Sequence, residues 1–288
     1  SSYSDAFPFE IGNDVWGSIA AEDIDLDGNI EFIVTSKSKY IYIFSQFGLE
    51  NTYFADSYLL GTPAIGQLDS DAYFEIVVGG FNSGASSTNK LYVINHDGTD
   101  ANGFPVVIGE KIKSGVGLFD FDENGYDDIV FGTESDNLYL VMDSGLTSAG
   151  FPIDLGDKIQ VEPSILINED DKRIFVGSKE GVFYSISDTG DIVFSIETDG
   201  DICTAASFLN GSSGLMIFFA SEDGHIYSVR ADGQLHSGWP VDVGGETVGS
   251  IAFGDIDGDG SSEIIASVDS QIMIFNQDGS NFIYDSII

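Results

Sequence analysis

The chain has 288 residues, enough for one large domain or two small ones and far above the size at which a buried core becomes difficult to build. Its 48 Asp and Glu residues against 10 Lys and Arg residues give a formal net charge of -38, which argues against nucleic acid and anionic membrane surfaces as partners. Self-repulsion among so many carboxylates opposes compaction, so we expect bound cations to stabilise the folded chain.

The remaining composition favours an all-β protein. The 35 Gly, 22 Phe and 12 Tyr residues suit many short strands joined by tight turns. The single cysteine, Cys203, excludes an internal disulfide and a zinc cluster, and we expect it to be a small buried side chain. The longest strongly apolar run, residues 215–220, is too short to cross a membrane, and the first residues do not resemble a signal segment. We therefore expect no membrane insertion and a mature or trimmed chain.

In chain order, one unit of about 47 residues recurs six times. An acidic stretch followed by a β-branched run occupies residues 22–36, 66–80, 119–133 and 254–268. Residues 163–178 and 205–221 keep the same order of apolar strand, loop and apolar strand but lack the acidic spacing. Each unit continues with an aromatic strand, and several then reach a proline-containing fourth strand such as "GFPVVIG" from Gly103. The unit is predicted to be a four-stranded antiparallel meander.

Such units cannot bury both faces alone and are expected to pack radially as the blades of a β-propeller. The prediction is a single all-β propeller domain over residues 1–288, with six four-stranded blades at residues 16–60, 61–109, 114–156, 161–198, 202–244 and 248–288 and with residues 5–12 as a closing outer strand. If the final segment from Phe282 supplies the last strand itself, the chain is instead part of a seven-bladed propeller. A β-sandwich would not explain the repetition.

The four acidic stretches contain nine-residue loops with oxygen-bearing side chains at positions one, three, five and nine. We name them loop 1 (residues 23–31), loop 2 (67–75), loop 3 (120–128) and loop 4 (255–263). The four positions are occupied by Asp23, Asp25, Asp27 and Glu31; by Gln67, Asp69, Asp71 and Glu75; by Asp120, Asp122, Asn124 and Asp128; and by Asp255, Asp257, Asp259 and Glu263. Position seven can add a backbone carbonyl, from Asn29, Tyr73, Tyr126 or Ser261.

Six or seven hard oxygens around one centre suit Ca²⁺ better than Mg²⁺, which prefers a smaller octahedron, or zinc, which prefers His and Cys. An EF-hand is excluded because it needs a glutamate at position twelve, where these loops have Val34, Phe131 or Ala266.

The loops "DIDLDGNIE", "DFDENGYDD" and "DIDGDGSSE", in phase with the repeat, resemble those of the FG-GAP and VCBS repeat family. The resemblance implies a calcium-binding, integrin-alpha-like propeller that serves as a non-catalytic interaction or adhesion module, extracellular or at the cell surface. It also implies a protein or glycan partner on the face opposite the calcium loops. Loop 2 departs from the family pattern at Gln67 and Ala72, so we expect three calcium ions and a weaker fourth site.

Catalysis has little support in the sequence. Each acidic cluster is explained by metal ligation, and His96, His225 and His236 are interpreted as exposed turn residues. The enzymatic alternative is a calcium-dependent polysaccharide lyase or hydrolase on a propeller scaffold, which could recruit Lys111, Lys113, Arg230 and tyrosines.

Basic residues are predicted to concentrate at one end of the strands. If strands alternate in direction, the turns between second and third strands and the connections between units lie away from the acidic loops. Seven lysines fall there: Lys37, Lys39, Lys90, Lys111, Lys113, Lys158 and Lys179. This end is therefore the less acidic one, and it is the predicted docking face for a protein or an anionic glycan.

Overall fold

The chain divides into two units, and a computed structural model of it describes residues 7–84, 88–168, 171–247 and 249–283. Unit 1 comprises Ser1–Glu162 and unit 2 comprises Pro163–Ile288. The described residues contain no helix of the length and apolarity that a membrane crossing requires.

Unit 1 contains three antiparallel sheets in which sequential strands are neighbours. Sheet 1 is formed by β1 (Ala20–Glu22), β2 (Glu31–Thr35), β3 (Tyr40–Ser45) and β4 (Gly48–Phe54). Sheet 2 is formed by β5 (Ala64–Gly66), β6 (Glu75–Gly79), β7 (Lys90–Ile94) and β8 (Val106–Val107). Sheet 3 is formed by β9 (Gly117–Phe119), β10 (Asp128–Gly132), β11 (Asn137–Val141) and β12 (Ile153–Asp154).

Unit 2 repeats the pattern. Sheet 4 is formed by β13 (Ser164–Asn168), β14 (Asp171–Gly177), β15 (Val182–Ser187) and β16 (Ile192–Glu197). Sheet 5 is formed by β17 (Ser207–Gly211), β18 (Gly214–Ser221), β19 (His225–Val229) and β20 (Val241–Asp242). Sheet 6 has three strands among the described residues, β21 (Ala252–Gly254), β22 (Glu263–Val268) and β23 (Gln271–Phe275).

The core of each unit lies between neighbouring sheets. Every residue of β6 and of β10 is buried, since a strand covered on both faces needs apolar side chains on both. In unit 1, Val77 and Val93 of sheet 2 belong to one apolar cluster with Ile129 and Phe131 of sheet 3. In unit 2, Phe218 of sheet 5 packs in the same way with Phe275 of sheet 6. The sheets are therefore stacked layers within each unit.

The predicted closing strand falls partly outside the described residues, which omit residues 5 and 6. Residues 7–12 are not assigned to a strand, but they lie against sheet 1. The ring of Phe7 is 5.7 Å from that of Phe32, and the hydroxyl of Tyr42 donates a hydrogen bond to the carbonyl of Ile11 at 3.0 Å. Pairing of this segment with the last sheet stays a prediction. Residue 248 and residues 284–288, which the predicted sixth blade includes, lie outside the described residues.

Glycines allow the connections that lead into the first strands of unit 1 to touch. A Cβ built on Gly17 would lie 2.6 Å from the carbonyl oxygen of Gly61, and one built on Gly61 would overlap the backbone of Ser114. These contacts are backbone against backbone, so no side chain can move aside to relieve a clash. The connections can therefore pack this closely only when the residues are glycine.

We predict that Gly61→Ala destabilises the protein by about 2 kcal/mol or more, because the added methyl group forces apart two backbone segments. Urea unfolding followed by circular dichroism measures the change. The matched control is Gly84→Ala, since a Cβ on Gly84 meets no atom within 4 Å. Equal unfolding midpoints for the two variants would contradict the steric argument.

Candidate metal loops and binding surface

The acidic loops are the connections between first and second strands of sheets 1, 2, 3 and 6. In each, the last residue of the first strand pairs with position nine of the loop, which is the first residue of the second strand. The pairs are Glu22 with Glu31, Gly66 with Glu75, Phe119 with Asp128, and Gly254 with Glu263. Register thus places every position-nine carboxylate at the base of its loop.

The position-nine carboxylate closes each loop by accepting the backbone N–H of position two. The N···O distances are 3.1 Å from Ile24 to Glu31, 2.7 Å from Leu68 to Glu75, 2.9 Å from Phe121 to Asp128 and 2.8 Å from Ile256 to Glu263. All four carboxylate residues are at most 3% exposed. A buried acceptor is therefore fixed in the same place in all four loops.

Burial makes the negative charge of these groups costly. Loss of solvation raises the pKa of Glu31 to about 6, that of Glu75 to about 7 and that of Asp128 to about 6. The backbone N–H groups partly oppose the shift, and neighbouring loop carboxylates add to it: Asp25 beside Glu31, Asp69 beside Glu75 and Asp122 beside Asp128. In loops 1, 2 and 3, burial and neighbouring carboxylates therefore both disfavour the charged form of the position-nine carboxylate.

Three acidic side chains of each loop converge. Their oxygens lie within 4.8 Å of one another in the groups Asp23, Asp25 and Asp27; Asp69, Asp71 and Glu75; Asp120, Asp122 and Asp128; and Asp255, Asp257 and Asp259. Two buried carboxylate oxygens, Oδ1 of Asp23 and Oε1 of Glu75, have no hydrogen-bond partner. A donor set made only of oxygen, with buried acceptors left unpaired, fits a hard divalent cation such as Ca²⁺.

The curled backbone of loops 1, 3 and 4 depends on left-handed residues. Position six is a glycine with φ between 90° and 96° in all three loops: Gly28, Gly125 and Gly260. Position four is also left-handed, at Leu26, Glu123 and Gly258. Glycine adopts this conformation without a steric penalty, which explains its recurrence at position six.

Loop 2 is built differently. Neither Ser70 at position four nor Ala72 at position six has a positive φ. The side-chain amide of Gln67 donates hydrogen bonds to the carbonyls of Asp69 at 2.8 Å and Asp71 at 2.9 Å. At position one, loop 2 therefore has an amide N–H₂ group that bridges two backbone carbonyls. The other three loops have a carboxylate at this position. This is the physical reason to expect weaker cation binding there.

The metal-free protein should lose stability as the pH rises. The folded pKa values near 6 to 7 lie above the ordinary values of 3.8 and 4.5, so the folded state binds more protons than the unfolded state in between. Stability from these groups is complete below the unfolded pKa and is lost as the pH passes through the folded pKa. We expect Tm in chelator to rise by on the order of 5 °C from pH 7.5 to pH 5.5 by calorimetry.

The control for this titration is Glu75→Gln, which keeps the shape of the side chain and an oxygen for the Leu68 N–H. Its Tm should depend less on pH than that of the wild type. An identical pH dependence in both proteins would assign the effect to the general negative charge rather than to the buried carboxylates.

At the other end of the sheets, unit 1 carries lysines paired with aromatic rings. The Nζ of Lys37 lies 3.6 Å from the centre of the Trp16 ring, and the Nζ of Lys39 lies 4.7 Å from that of Tyr58. Trp16 is 64% exposed. Tyr58 and Phe81 exchange two backbone hydrogen bonds of 3.0 Å. We name this the lysine–aromatic surface; its members are Trp16, Lys37, Lys39, Tyr58, Phe81 and Lys113.

Local carboxylates offset much of the positive charge predicted for this end. Lys37 pairs with Asp14 at 3.4 Å, and Lys113 pairs with Glu134 at 2.9 Å. Two further pairs join Lys90 to Asp56 at 3.1 Å and Lys179 to Asp201 at 3.0 Å. The exposed feature of the surface is therefore aromatic more than basic. Trp16 and Tyr58 were not predicted as members of this face, although both lie in connections that lead to it in the sequence.

The interpretation of the histidines as exposed turn residues was wrong for His236, which is 4% exposed. It lies in the connection between third and fourth strands of sheet 5, and its Nε2 is 3.1 Å from the carbonyl of Leu215. His225 is half-buried and 3.2 Å from Asp223. For the enzymatic alternative, Lys111 and Lys113 lie in unit 1 while Arg230 lies in unit 2, at the end of its sheet that carries the acidic loops in other sheets.

No protein-family model matches the chain, and no curated protein matches its sequence. Solved structures do match its fold. BBS1N, in a crystal structure in complex with ARL6DN, has a TM-score of 0.61 at 13% identity over 95% of this chain and 82% of its own. BamB from Moraxella catarrhalis has a TM-score of 0.64 at 15% identity over 93% of this chain and 74% of its own. Sqt1 from Saccharomyces cerevisiae has a TM-score of 0.64 at 11% identity over 85% and 68%.

These three structures are β-propellers, and at such low identity the similarity concerns the fold alone. Together with six antiparallel sheets among the described residues, it confirms the predicted all-β propeller fold. Membership of the FG-GAP and VCBS family stays a prediction from the loop motifs.

Proposed function

We propose that the chain is a non-catalytic, calcium-stabilised interaction module that binds a protein partner through the lysine–aromatic surface. The observation that carries the proposal is the exposed Trp16, held under Lys37 at the end of the strands remote from the acidic loops. Tryptophan and tyrosine are among the residues that dominate the binding energy of protein interfaces. BBS1N, similar in fold, was solved in complex with ARL6DN, which provides a precedent for protein binding.

A protein is favoured over an anionic glycan because of the charge balance of the surface. Acidic polysaccharides are held mainly by clustered free cations, whereas Lys37 and Lys113 already pair with carboxylates at 3.4 Å and 2.9 Å. A glycan partner and a polysaccharide-degrading activity are therefore alternative outcomes of the binding experiments. We further propose an extracellular or cell-surface location, where calcium is abundant enough to fill weak sites.

In the acidic loops, calcium would be held by the carboxylates at positions one, three, five and nine of loops 1, 3 and 4, with Asn124 supplying position five of loop 3. Loop 2 is the weaker fourth site. A bound ion supplies positive charge that offsets the repulsion among buried and converging carboxylates. Our proposal gives it a structural role, in which the ligands close the turn between first and second strands and leave no position for a substrate.

Metal ligation predicts that one substitution lowers the stabilisation by calcium and that another raises it. Saturating calcium should raise the free energy of unfolding by about 2.7 kcal/mol per site at one hundred times Kd, and Asp120→Ala should remove about one site's share. The double variant Gln67→Asp with Ala72→Gly should strengthen loop 2, because it restores the carboxylate and the left-handed residue of the other loops. Calorimetry with calcium and with chelator, together with metal analysis, measures both effects.

The control is Asp157→Ala, which removes the same charge outside the loops. Its response to calcium should equal that of the wild type. If neither calcium nor chelator moves the unfolding midpoint, and metal analysis finds no calcium, the structural role of calcium is wrong.

Partner binding is tested with Trp16→Ala and Phe47→Ala. Both residues are exposed, by 64% and 73%, but Phe47 lies in the turn between β3 and β4, at the acidic-loop end of sheet 1. The wild-type chain is cross-linked in extracts and secreted fractions of its source, and each captured protein is purified for affinity measurement. We expect Trp16→Ala to weaken a true partner at least about tenfold and Phe47→Ala to leave it unchanged.

Two results would contradict the proposal. One is a purified partner whose affinity depends on Phe47 and not on Trp16. The other is turnover of a polysaccharide by the wild-type chain that is lost when Lys113 is replaced, which would favour the enzymatic alternative.

A further inference from the structure

Unit 2 has a cavity at the position where sheet 5 lacks an acidic loop. The turn between β17 and β18 contains Ser212 and Ser213 instead. Together with Arg230, His236 and Ser237 these serines line a cavity of about 200 Å³. An adjoining cavity of about 290 Å³ shares Ser212, Gln277 and Asp278 with it.

The wall of the cavity is fixed by hydrogen bonds. The side chain of Gln277 accepts from the backbone N–H of Ser212 at 2.9 Å and from its hydroxyl at 3.0 Å, and it donates to the carbonyl of Ser262 at 3.1 Å. Below it, the indole N–H of the buried Trp239 donates to the carbonyl of Gln277 at 3.0 Å. Such a preorganised wall loses little entropy when a ligand binds.

His236 presents an acceptor near the serines. Its Nε2 lies 3.1 Å from the carbonyl of Leu215, and a carbonyl can only accept, so Nε2 carries the proton. In the neutral ring Nδ1 is then an acceptor, 3.5 Å from the hydroxyl of Ser213. Because the ring is 96% buried, its orientation is set by packing.

Arg230 supplies the positive charge. Within the described parts of the chain, no carboxylate lies within 4.0 Å of its guanidinium, whereas Arg173 of the same unit pairs with Asp171 at 2.7 Å. The backbone of Arg230 is held by the turn that follows β19, where its N–H donates to the carbonyl of Gln234 at 2.8 Å. A guanidinium in this setting offers two parallel N–H donors that match a carboxylate.

We propose that this cavity binds a small hydroxylated carboxylate, of the sugar-acid class. Arg230 binds the carboxylate, while the hydroxyls of Ser213 and Ser237, Nδ1 of His236 and the carboxylate of Asp278 bind the ligand hydroxyls. Since a water molecule occupies about 30 Å³ of liquid, 200 Å³ accommodates the volume of about seven waters, which suits a ligand of this size.

The charge around the cavity selects a monoanion. Arg230 is the only cation that lines either cavity among the described residues, and Asp259, Glu263 and Asp278 line the adjoining one. A dianion such as phosphate would meet the carboxylate of Asp278, which lines both cavities, with one guanidinium to offset its charge. A neutral sugar would leave the guanidinium without an anionic partner.

The test is calorimetric titration of the full chain with D-glucuronate, D-gluconate, D-glucose and inorganic phosphate. We expect at least one of the two sugar acids to bind with a Kd of about 1 mM or tighter, and glucose and phosphate to bind at least about tenfold more weakly. Arg230→Gln should weaken the sugar acid at least about tenfold and Ser213→Ala about threefold. The charge-matched control Lys158→Gln should bind as the wild type does.

Arg230 is exposed, so unfolding is not expected to confound its replacement, and equal Tm values for variant and wild type check this. The proposal is overturned if neither sugar acid binds, if phosphate binds better than both, or if Arg230→Gln binds equally well. Because Ser261 and Glu263 of loop 4 line the adjoining cavity, the titrations are carried out both in calcium and in chelator. Sugar-acid binding that persists in chelator is thereby separated from binding through the metal loop. Trp16→Ala, which tests the partner surface, should leave sugar-acid binding unchanged.

Discussion

A carboxylate buried at the first residue of the second strand is the constraint on which the acidic loops depend. In sheets 1, 2, 3 and 6 it accepts a hydrogen bond from the backbone N–H of loop position two, and this bond closes the loop at the start of the second strand. In sheets 1, 2 and 3 burial opposes ionisation of this carboxylate, and neighbouring carboxylates of the loop oppose it further. In loops 2 and 3 this carboxylate also belongs to a group of three acidic side chains whose oxygens lie within 4.8 Å of one another, an arrangement that fits the calcium we propose.

Sheets 4 and 5 illustrate what happens without that carboxylate. Their first strands, β13 and β17, have five residues each, whereas β1, β5, β9 and β21 have three. The pairing of first and second strands extends to Asn168 and Asp171 in sheet 4 and to Gly211 and Gly214 in sheet 5. The short turn of sheet 5 contains Ser212 and Ser213, which line the cavity beside Arg230.

The repeat could be predicted because its signals are local. Position-nine carboxylates, left-handed glycines and aromatic strands each follow from nearby residues, and the loops of sheets 1, 3 and 6 form where the spacing predicts them. The chemistry of the surfaces could not be predicted, since it depends on residues far apart in the chain. Lys37 pairs with Asp14 and Gln277 with Ser212, 23 and 65 positions apart. His236 was misread for the same reason, because its partner Leu215 lies 21 positions earlier in the chain.

Loop 2 shows how the repeat tolerates a lost ligand. In unit 1 the acidic loops are joined by backbone hydrogen bonds, from Phe74 of loop 2 to Ile24 of loop 1 at 3.0 Å and from Asp127 of loop 3 to Gln67 of loop 2 at 2.7 Å. Because loop 2 lies between loops 1 and 3 in this series of hydrogen bonds, an open conformation of loop 2 would interrupt the series.

The amide of Gln67 prevents this break. It holds the carbonyls of Asp69 and Asp71 through two hydrogen bonds, and the backbone of the same residue accepts from Asp127. A neutral amide thus closes the turn in the loop where we expect the weakest cation binding. Loops 1 and 3 are thus connected through loop 2 by hydrogen bonds that require no ion there, and under our proposal calcium at either would stabilise the shared end of the three sheets.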